Sequence, residues 1–321
     1  MVRLARMFVV FVCIVILAAN AWIVMAARSQ ELRQSRVASE NLARAVAQQM
    51  DAIFGETEHV LESLAFELDN RDLGNDTLQD LQPKLVHQVA QLSQLDGLFV
   101  LDAQGRWRTH SQSQVPAGAD NTQREDFIHH RDSPSERVRI GAPMRSPTSG
   151  HWVIPVSRRL SDPYARFAGV VLATVSLEQL VSVMSTFKVG VRGAILLGRR
   201  DGTVLARWPL RDQDLGRSLA QTSAYRDLTG AQQGTFENTS PLDGEHRVVS
   251  FQHARDRPLY VTIALSRQEL LQAWRLSATL QTAWAVLLCL IVGGAGAFMV
   301  LVVRRRSMAE SALRQASEAL Q

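Results

Sequence analysis

Leu98-Phe99-Val100-Leu101, the turn Ala103-Gln104-Gly105 and then Arg106-Trp107-Arg108 read as two short strands joined into a hairpin. Nearly the same text returns 97 residues later as Ile195-Leu196-Leu197, a turn ending in Asp201-Gly202, and Thr203-Val204-Leu205, so that Gly105 maps onto Gly202. The correspondence continues. His151-Trp152-Val153-Ile154 answers His246-Arg247-Val248-Val249, and residues 170–176, leading into Leu177-Glu178-Gln179-Leu180, answer residues 261–266, leading into Glu269-Leu270. A repeat changes the fold class, because each copy must form one structural unit. Each unit contains a hairpin, a short helix and three further strands. An α+β fold is predicted: two tandem modules, each an antiparallel sheet of about five strands with helices on one face.

Ahead of the first unit, Leu42, Val46, Met50, Ile53, Val60, Leu61, Leu64 and Leu68 recur at helical spacing, which predicts one long amphipathic helix. Packing on its own domain and forming a dimer seam are compatible roles for it. A second helical stretch falls near residues 78–92. Two apolar runs, residues 7–27 and 283–303, flank all of this. Each holds 21 residues, about 31 Å as a helix against a hydrocarbon core of about 30 Å. Both can span a membrane. Arg304, Arg305 and Arg306 hold the end of the second run in the cytoplasm by the positive-inside rule. Arg3 and Arg6 favour the same side for the amino terminus, against Arg28, Arg33 and Arg36. The region between the runs is therefore external, which in a Gram-negative cell means an inner-membrane protein with a periplasmic domain. A cleaved signal peptide would share Arg3, Arg6 and Ala19-Asn20-Ala21, but its apolar region runs only about 7–15 residues.

The chain carries 35 Lys+Arg against 31 Asp+Glu, with 46% hydrophobic and 21% charged residues. Such a chain folds. Its small basic excess forms no stripe, so no nucleic-acid interface is expected. Cys13 and Cys289 both lie inside the apolar runs, which leaves the external region to its hydrophobic core without disulfides. There is no Gly-x-Ser-x-Gly elbow, P-loop or dinucleotide fingerprint, so neither a cofactor nor catalysis is expected. An external hydrolase using His110 or His130 with a serine is the catalytic alternative. His129, His130, Asp126 and Asp132 invite a metal, but adjacent histidines on a helix diverge by about 100° and no spaced ligand pair accompanies them.

The run Gln123-Arg124-Glu125-Asp126-Phe127-Ile128-His129-His130-Arg131-Asp132 is followed by Ile140-Gly141, Ser149-Gly150-His151-Trp152-Val153-Ile154, Ser157-Arg158-Arg159-Leu160 and Phe167-Ala168-Gly169-Val170-Val171. Together these resemble the double Cache (tandem PAS-like) extracellular sensor domain of bacterial transmembrane receptors, of the type found in front of diguanylate cyclases and histidine kinases. The resemblance covers residues 28–270. An Asp-Arg-x-Tyr-Phe-x-x-His run is usual there; this chain has Gln123 for the Asp and Asp126 for the Tyr. The resemblance implies a small-molecule ligand in the distal module, bound by Arg124, Phe127, His130, Trp152 and Arg158. The amino-acid-binding branch reads Arg-x-Trp-Tyr here and has an Asp near the end of the last distal strand, where this chain offers Thr174. An anion, either a carboxylate or a phosphate, is therefore expected in the fork of Arg124. Arg124 paired with a structural carboxylate and Trp152 in the core are the plain alternatives. Arg158 and Arg159 point to opposite faces of a strand, and Arg158 shares parity with Trp152, which makes it the chosen site residue. His130 is expected to order the pocket loop through hydrogen bonds.

The layout expected on these grounds is a cytoplasmic N-terminus (1–6), a first span (7–27), a periplasmic sensor domain (28–270), a connecting helix (271–282), a second span (283–303) and a cytoplasmic helical stub (304–321). Within the sensor domain a helical stalk covers 28–92, a membrane-distal module 93–186 and a membrane-proximal module 187–270. The stretch 266–277, without Pro or Gly, implies a rigid connection into the second span. Residues 304–321 leave no room for a kinase, cyclase or methyl-accepting hairpin. They do carry a short stripe of Ala309, Ala312, Leu313, Ala316, Ala319 and Leu320. The expected protein is thus a homodimeric receptor acting on a separate cytoplasmic partner. The truncated sensory half of a diguanylate cyclase or histidine kinase, and a ligand-free spacer sensing through a protein partner, are the alternatives.

Overall fold

The computed structural model of the chain describes residues 2–69, 75–115, 120–135 and 137–318. It forms two compact units, Arg36–Ser266 and a second made of Met1–Ser35 with Arg267–Gln321. Helix α1 (Val2–Asp69) contributes to both. In the larger unit it buries Ala43, Val46, Met50, Phe54, Leu61, Leu64 and Leu68, the spacing of one helical face. Helix α2 (Asn75–Gln91) adds Leu81 and Leu85 to the same core.

The repeat is visible strand for strand. The first module contains β1 (Leu95–Asp102), β2 (Trp107–His110), α3 (Glu125–Asp132), β3 (Arg139–Ile140), β4 (Met144–Arg145), β5 (Trp152–Ser161), β6 (Phe167–Ser176) and α4 (Leu177–Ser185). Its sheet order is β2-β1-β6-β5-β3, with β4 also paired to β5. The second module contains β7 (Ala194–Arg199), β8 (Val204–Trp208), a 3₁₀ turn at Asp212–Asp214, α5 (Ser223–Thr229), β9 (Gln233–Thr239), β10 (His246–His253) and β11 (Leu259–Ser266). Its order is β8-β7-β11-β10-β9, the same path, and all pairs in both sheets are antiparallel. Gly105 and Gly202 close the two equivalent hairpins with φ of +74° and +92°, a conformation that glycine adopts without steric cost. The modules differ at one edge. Where the second has the continuous β9, the first has only the two-residue pieces β3 and β4. Gly141-Ala142-Pro143 lies between them, and Pro143 has no N–H for a ladder.

Both sheets turn a face to α1. Ile154, Val156, Val171 and Ala173 from the first, and Ile195, Leu197, Val261 and Ile263 from the second, share one core cluster with the helix. Polar contacts show which part of α1 meets which sheet. Ser39 Oγ lies 2.6 Å from Ser250 Oγ, which is 2.8 Å from Thr235 Oγ1; Thr235 in turn donates to Glu40 at 2.7 Å. Arg257, between β10 and β11, donates from Nε and Nη2 to Glu58 (3.0 and 2.7 Å) and from Nη1 to Asp51 (2.7 Å). Gly55 makes room for this clamp, since a Cβ there would stand 3.1 Å from Arg257 Nη2. Further along, Glu62 meets Arg158 at 3.8 Å and Asp69 accepts from Ser161 N at 3.0 Å, both on the first sheet.

The smaller unit pairs the start of α1 with α6 (Arg267–Leu270) and α7 (Gln272–Glu318). The long helices run antiparallel. Trp274 Nε1 donates to Val24 O at 3.1 Å and Asn20 to Thr282 at 3.3 Å; each of Cys13 and Cys289 lies 3.8 Å from the other's carbonyl oxygen. Gly296 lets Val9 approach so closely that a Cβ would come within 2.6 Å of it, the small-residue packing typical of paired membrane helices. Phe8, Phe11, Trp22, Trp284, Ile291 and Phe298 remain exposed. Both helices are long and apolar enough to cross a membrane. The unbroken helix expected over 266–277 is instead two helices, with a turn at Leu271 and a long 3.3 Å bond from Leu271 N to Arg267 O. No proline or glycine causes the break. The side chains of the stripe from Ala309 onward lie outside the described residues.

Without Arg257, Asp51 and Glu58 would face each other with no cation between them. Arg257→Ala is expected to cost about 1–3 kcal/mol of stability, and Arg257→Lys to restore only part of it because the fork is lost. Denaturant unfolding checks this; an unchanged midpoint for the alanine variant would show that the clamp contributes nothing.

Candidate ligand-binding site

The candidate site lies on the face of the first sheet that points away from α1. Strand alternation puts Leu101, Ser157, Arg159, Val170 and Thr174 there, and α3 covers them. That helix begins after Arg124, whose φ and ψ of −71° and 139° are extended. Glu125 and Asp126 stand in its first turn, with His129, His130 and Arg131 in its last, the charge order that suits the helix dipole. Phe127 is buried on Leu101 and Val170, with Trp107 and Phe167 packed at the edge of the cluster. The Phe127 and Phe167 rings meet edge to face at 5.4 Å.

Arg124 does grip a carboxylate, and it is one of its own chain. Its Nε and Nη2 donate to the two oxygens of Asp126 at 3.0 and 2.8 Å, and Phe127 N donates to the same carboxylate at 3.1 Å. His130, fully buried, places Nε2 3.0 Å from Ser157 Oγ, while its Nδ1 has no hydrogen-bond partner among the described residues. Burial, followed by the neighbouring charge of His129, pushes the His130 pKa down to about 4.

Arg159 is the residue that the sequence reading missed. It is 6% exposed. Its guanidinium donates to the carbonyls of His130, Ser133 and Ala165 and to Ser161 Oγ, and it lies 5.0 Å from the Phe167 ring centre. Among the described residues no carboxylate pairs with it. Arg158 and Trp152, chosen from the sequence, do share a face, but it is the face toward α1. Arg158 meets Glu62 of α1 at 3.8 Å, and Trp152 Nε1 donates to Asp212 of the second module at 2.8 Å beneath the Arg145 guanidinium. Ile154, Val156 and Leu160 have the same parity and belong to the core, which is why that face is the packed one. The polar alternation Ser157-Arg159-Ser161 was the signal for the other face. Arg124, Phe127 and His130 are thus gathered around α3, and Trp152 and Arg158 are not.

A second residue escaped notice. An irregularity in the β1–β6 register between Leu95 and Gly97 lets Asp96 reach Thr174, whose Oγ1 lies 3.5 Å from its carboxylate; Ser149 donates to it at 3.0 Å, and His151 stands 3.6 Å away. The carboxylate absent at position 174 is therefore present one strand over.

The His130 shift has a definite sign. An unfolded histidine titrates near pH 6.5, whereas this one stays neutral in the fold down to about 4. The unfolded chain binds the extra proton between those values, so stability is full above about pH 6.5 and falls as pH drops toward 4, by an amount on the order of 3 kcal/mol. His130→Gln should remove that component of the pH dependence, measured as the difference between wild-type and variant unfolding curves. Parallel curves across the window would contradict it.

With this geometry in hand, the comparisons agree on the family. The family model for the Cache domain matches residues 24–274. The extracellular domain of rpHK1S-Z16, described as a histidine kinase, superposes with a TM-score of 0.67 at 30% identity, covering 76% of this chain and 99% of that one. The ligand-binding domain of the Pseudomonas aeruginosa PAO1 amino acid chemoreceptor PctB, solved with L-Gln, has the same fold, with a TM-score of 0.57 at 19% identity over 75% of this chain and 98% of that one. The methyl-accepting chemotaxis protein McpA of Pseudomonas putida is 25% identical over 215 residues, 65% of this chain and 31% of that protein. The chain spans about a third of the length of the curated relatives it matches. It belongs to the Cache domain family, as a double Cache sensor domain flanked by two apolar helices.

Proposed function

We propose that this chain is the sensing part of a transmembrane receptor, a homodimer in the inner membrane that binds a small anionic ligand in its first, membrane-distal module. The ligand class rests on Arg159, a buried guanidinium whose partners are all neutral. Burying a charge without a counter-charge is costly, so a carboxylate or phosphate arriving beside Arg159 would be favoured. Arg124, Phe127 and His130 would complete its surroundings. In this reading the chain senses and does not catalyse.

Transmission would use the two elements that leave the sensor region, α1 and the path from β11 into α6 and α7. A ligand can drive such a change only through unequal affinity for two states, and a small piston or rotation of α7 would be the output. Arg304 and Arg305 would hold its far end in the cytoplasm. There it would act on a separate cytoplasmic partner or on an output domain of a longer chain.

Asp96 favours a second reading. Its carboxylate beside Thr174 suits the ammonium group of an amino acid, and PctB, a relative in fold, is solved with L-Gln.

A thermal-shift screen of the full chain in lipid nanodiscs against small carboxylates, phosphates and amino acids tests both. Ligand at about 100 times its Kd should add roughly 2.7 kcal/mol. The anion reading expects a carboxylate or phosphate hit that is lost with Arg159→Gln, and it fails if both Arg159→Gln and Arg124→Gln leave the hit unchanged. Hits confined to amino acids and lost with Asp96→Asn would select the amino-acid reading. Transmission is checked separately by electron paramagnetic resonance between spin labels at the arginine end of α7 in the dimer. Their distance should change on adding the hit ligand, and a constant distance would refute the displacement.

A further inference from the structure

The second sheet also has a face turned away from α1, and on that face lies a partly open cavity of about 70 Å³. Most of the wall is apolar. The small side chains Ala194, Ala224 and Ala264 leave the space, and Leu196, Leu228 and Phe236 bound it. At about 10–15 Å³ for each water-sized unit, such a volume holds roughly five to seven non-hydrogen atoms.

The buried polar groups around this cavity are rich in donors. Arg207 and Arg247 both line it and converge on Asp243, at 2.5 and 2.6 Å to its two oxygens. Arg207 also donates to Asp214 at 3.0 Å, and Arg247 to Arg192 O at 2.8 Å. A guanidinium carries five N–H groups, so each arginine keeps donors beyond these bonds. Both side chains are nearly inaccessible, at 3% and 5%. Register places them around the small residues: Ala194 and Val249 lie opposite Ala264, while Arg207 lies opposite Leu196, one same-face step away. Tyr260 lines the cavity as well, and its hydroxyl has no hydrogen-bond partner among the described residues. Burial pushes the phenol pKa up, which keeps that hydroxyl protonated. The two buried arginines are matched by the two buried carboxylates, Asp214 and Asp243, so what the cavity offers a ligand is donors: the remaining N–H groups of Arg207 and Arg247 and the Tyr260 hydroxyl.

We propose that this cavity is a second ligand site, independent of the first module, which takes an aliphatic monocarboxylate of about butyrate's size. The carboxylate accepts from the remaining N–H groups of Arg207 and Arg247. The alkyl chain lies along Ala194, Leu196 and Ala264.

Sodium butyrate titrated into the full chain in lipid nanodiscs tests this, with n-butylamine at matched ionic strength as the charge control. Calorimetry and the thermal midpoint should show saturable binding of butyrate and none of the amine. Filling the cavity with Ala264→Met should weaken butyrate binding at least tenfold while unfolding stays cooperative, and Ala194→Leu provides a second filling variant should the first fold poorly. Absence of saturable butyrate binding would overturn the proposal. So would binding that survives both filling variants but is lost with Arg159→Gln, a result that would place butyrate in the first module and leave the reading of that module standing.

Discussion

One helical stripe serves two sheets. Neither module covers its own α1-facing surface: Ile154, Val156 and Val171 of one, and Ile195, Leu197 and Val261 of the other, are buried in the cluster completed by residues of α1. Each such side chain contributes about 1.5–3 kcal/mol when fully removed from water, so stripping α1 away would expose both sheets together. The tandem arrangement is therefore not two beads on a string. The same helix packs on both sheets, with the Arg257 clamp to Asp51 and Glu58 between the two regions.

The modules share a topology and differ in how they handle charge. In the first, Asp126 has taken the fork of Arg124, and Arg159 on β5 is a buried guanidinium with no carboxylate partner among the described residues. In the second, Arg207 and Arg247 are drawn together by Asp243. Burial alone would raise the pKa of that carboxyl, yet the hydrogen bond from Arg247, then that from Ser240 and the charges of both arginines, hold it well below the usual carboxylate range. This contribution to stability is complete above about pH 4, where the unfolded carboxyl is already ionised, and is lost as pH falls further through the folded value. The fold is thus one scaffold used twice with different electrostatics.

Much of this architecture was legible beforehand because it rests on local text. The hairpins at Gly105 and Gly202, the three-and-four spacing from Ala43 to Leu68 and the long apolar runs are short-range patterns with short-range causes. The split edge of β3 and β4 was harder to see, since it depends on Gly141 and Pro143 meeting a strand that lies further along the chain. At the site, α3 announced itself through Arg124, Phe127 and His130. Choosing between Arg158 and Arg159 required knowing which face α1 covers. Parity alone relates Trp152 to Arg158 without saying which way either points; Ile154, Val156 and Leu160, read as core, would have decided it. Asp96 was invisible because an irregularity in strand register redirects it, and Asp126 looked like a departure from a motif when it is the partner of Arg124.

The hydroxyl chain of Ser39, Ser250, Thr235 and Glu40 bears on how this helix can move. Slipping α1 by one turn, about 5.4 Å, one way would bring Ala43 opposite Ser250 and carry Ser39 away from it. A buried hydroxyl left without a partner costs about 1–3 kcal/mol; the opposite slip would bring Ser35 to Ser250 but set Arg36 in the place of Glu40, the carboxylate that accepts from Thr235. The contact behaves as a detent, holding helix and second sheet at one setting along the helix axis. Motion that keeps the setting is cheap by comparison, which favours tilting or turning the helix and sheet as one body over sliding one past the other.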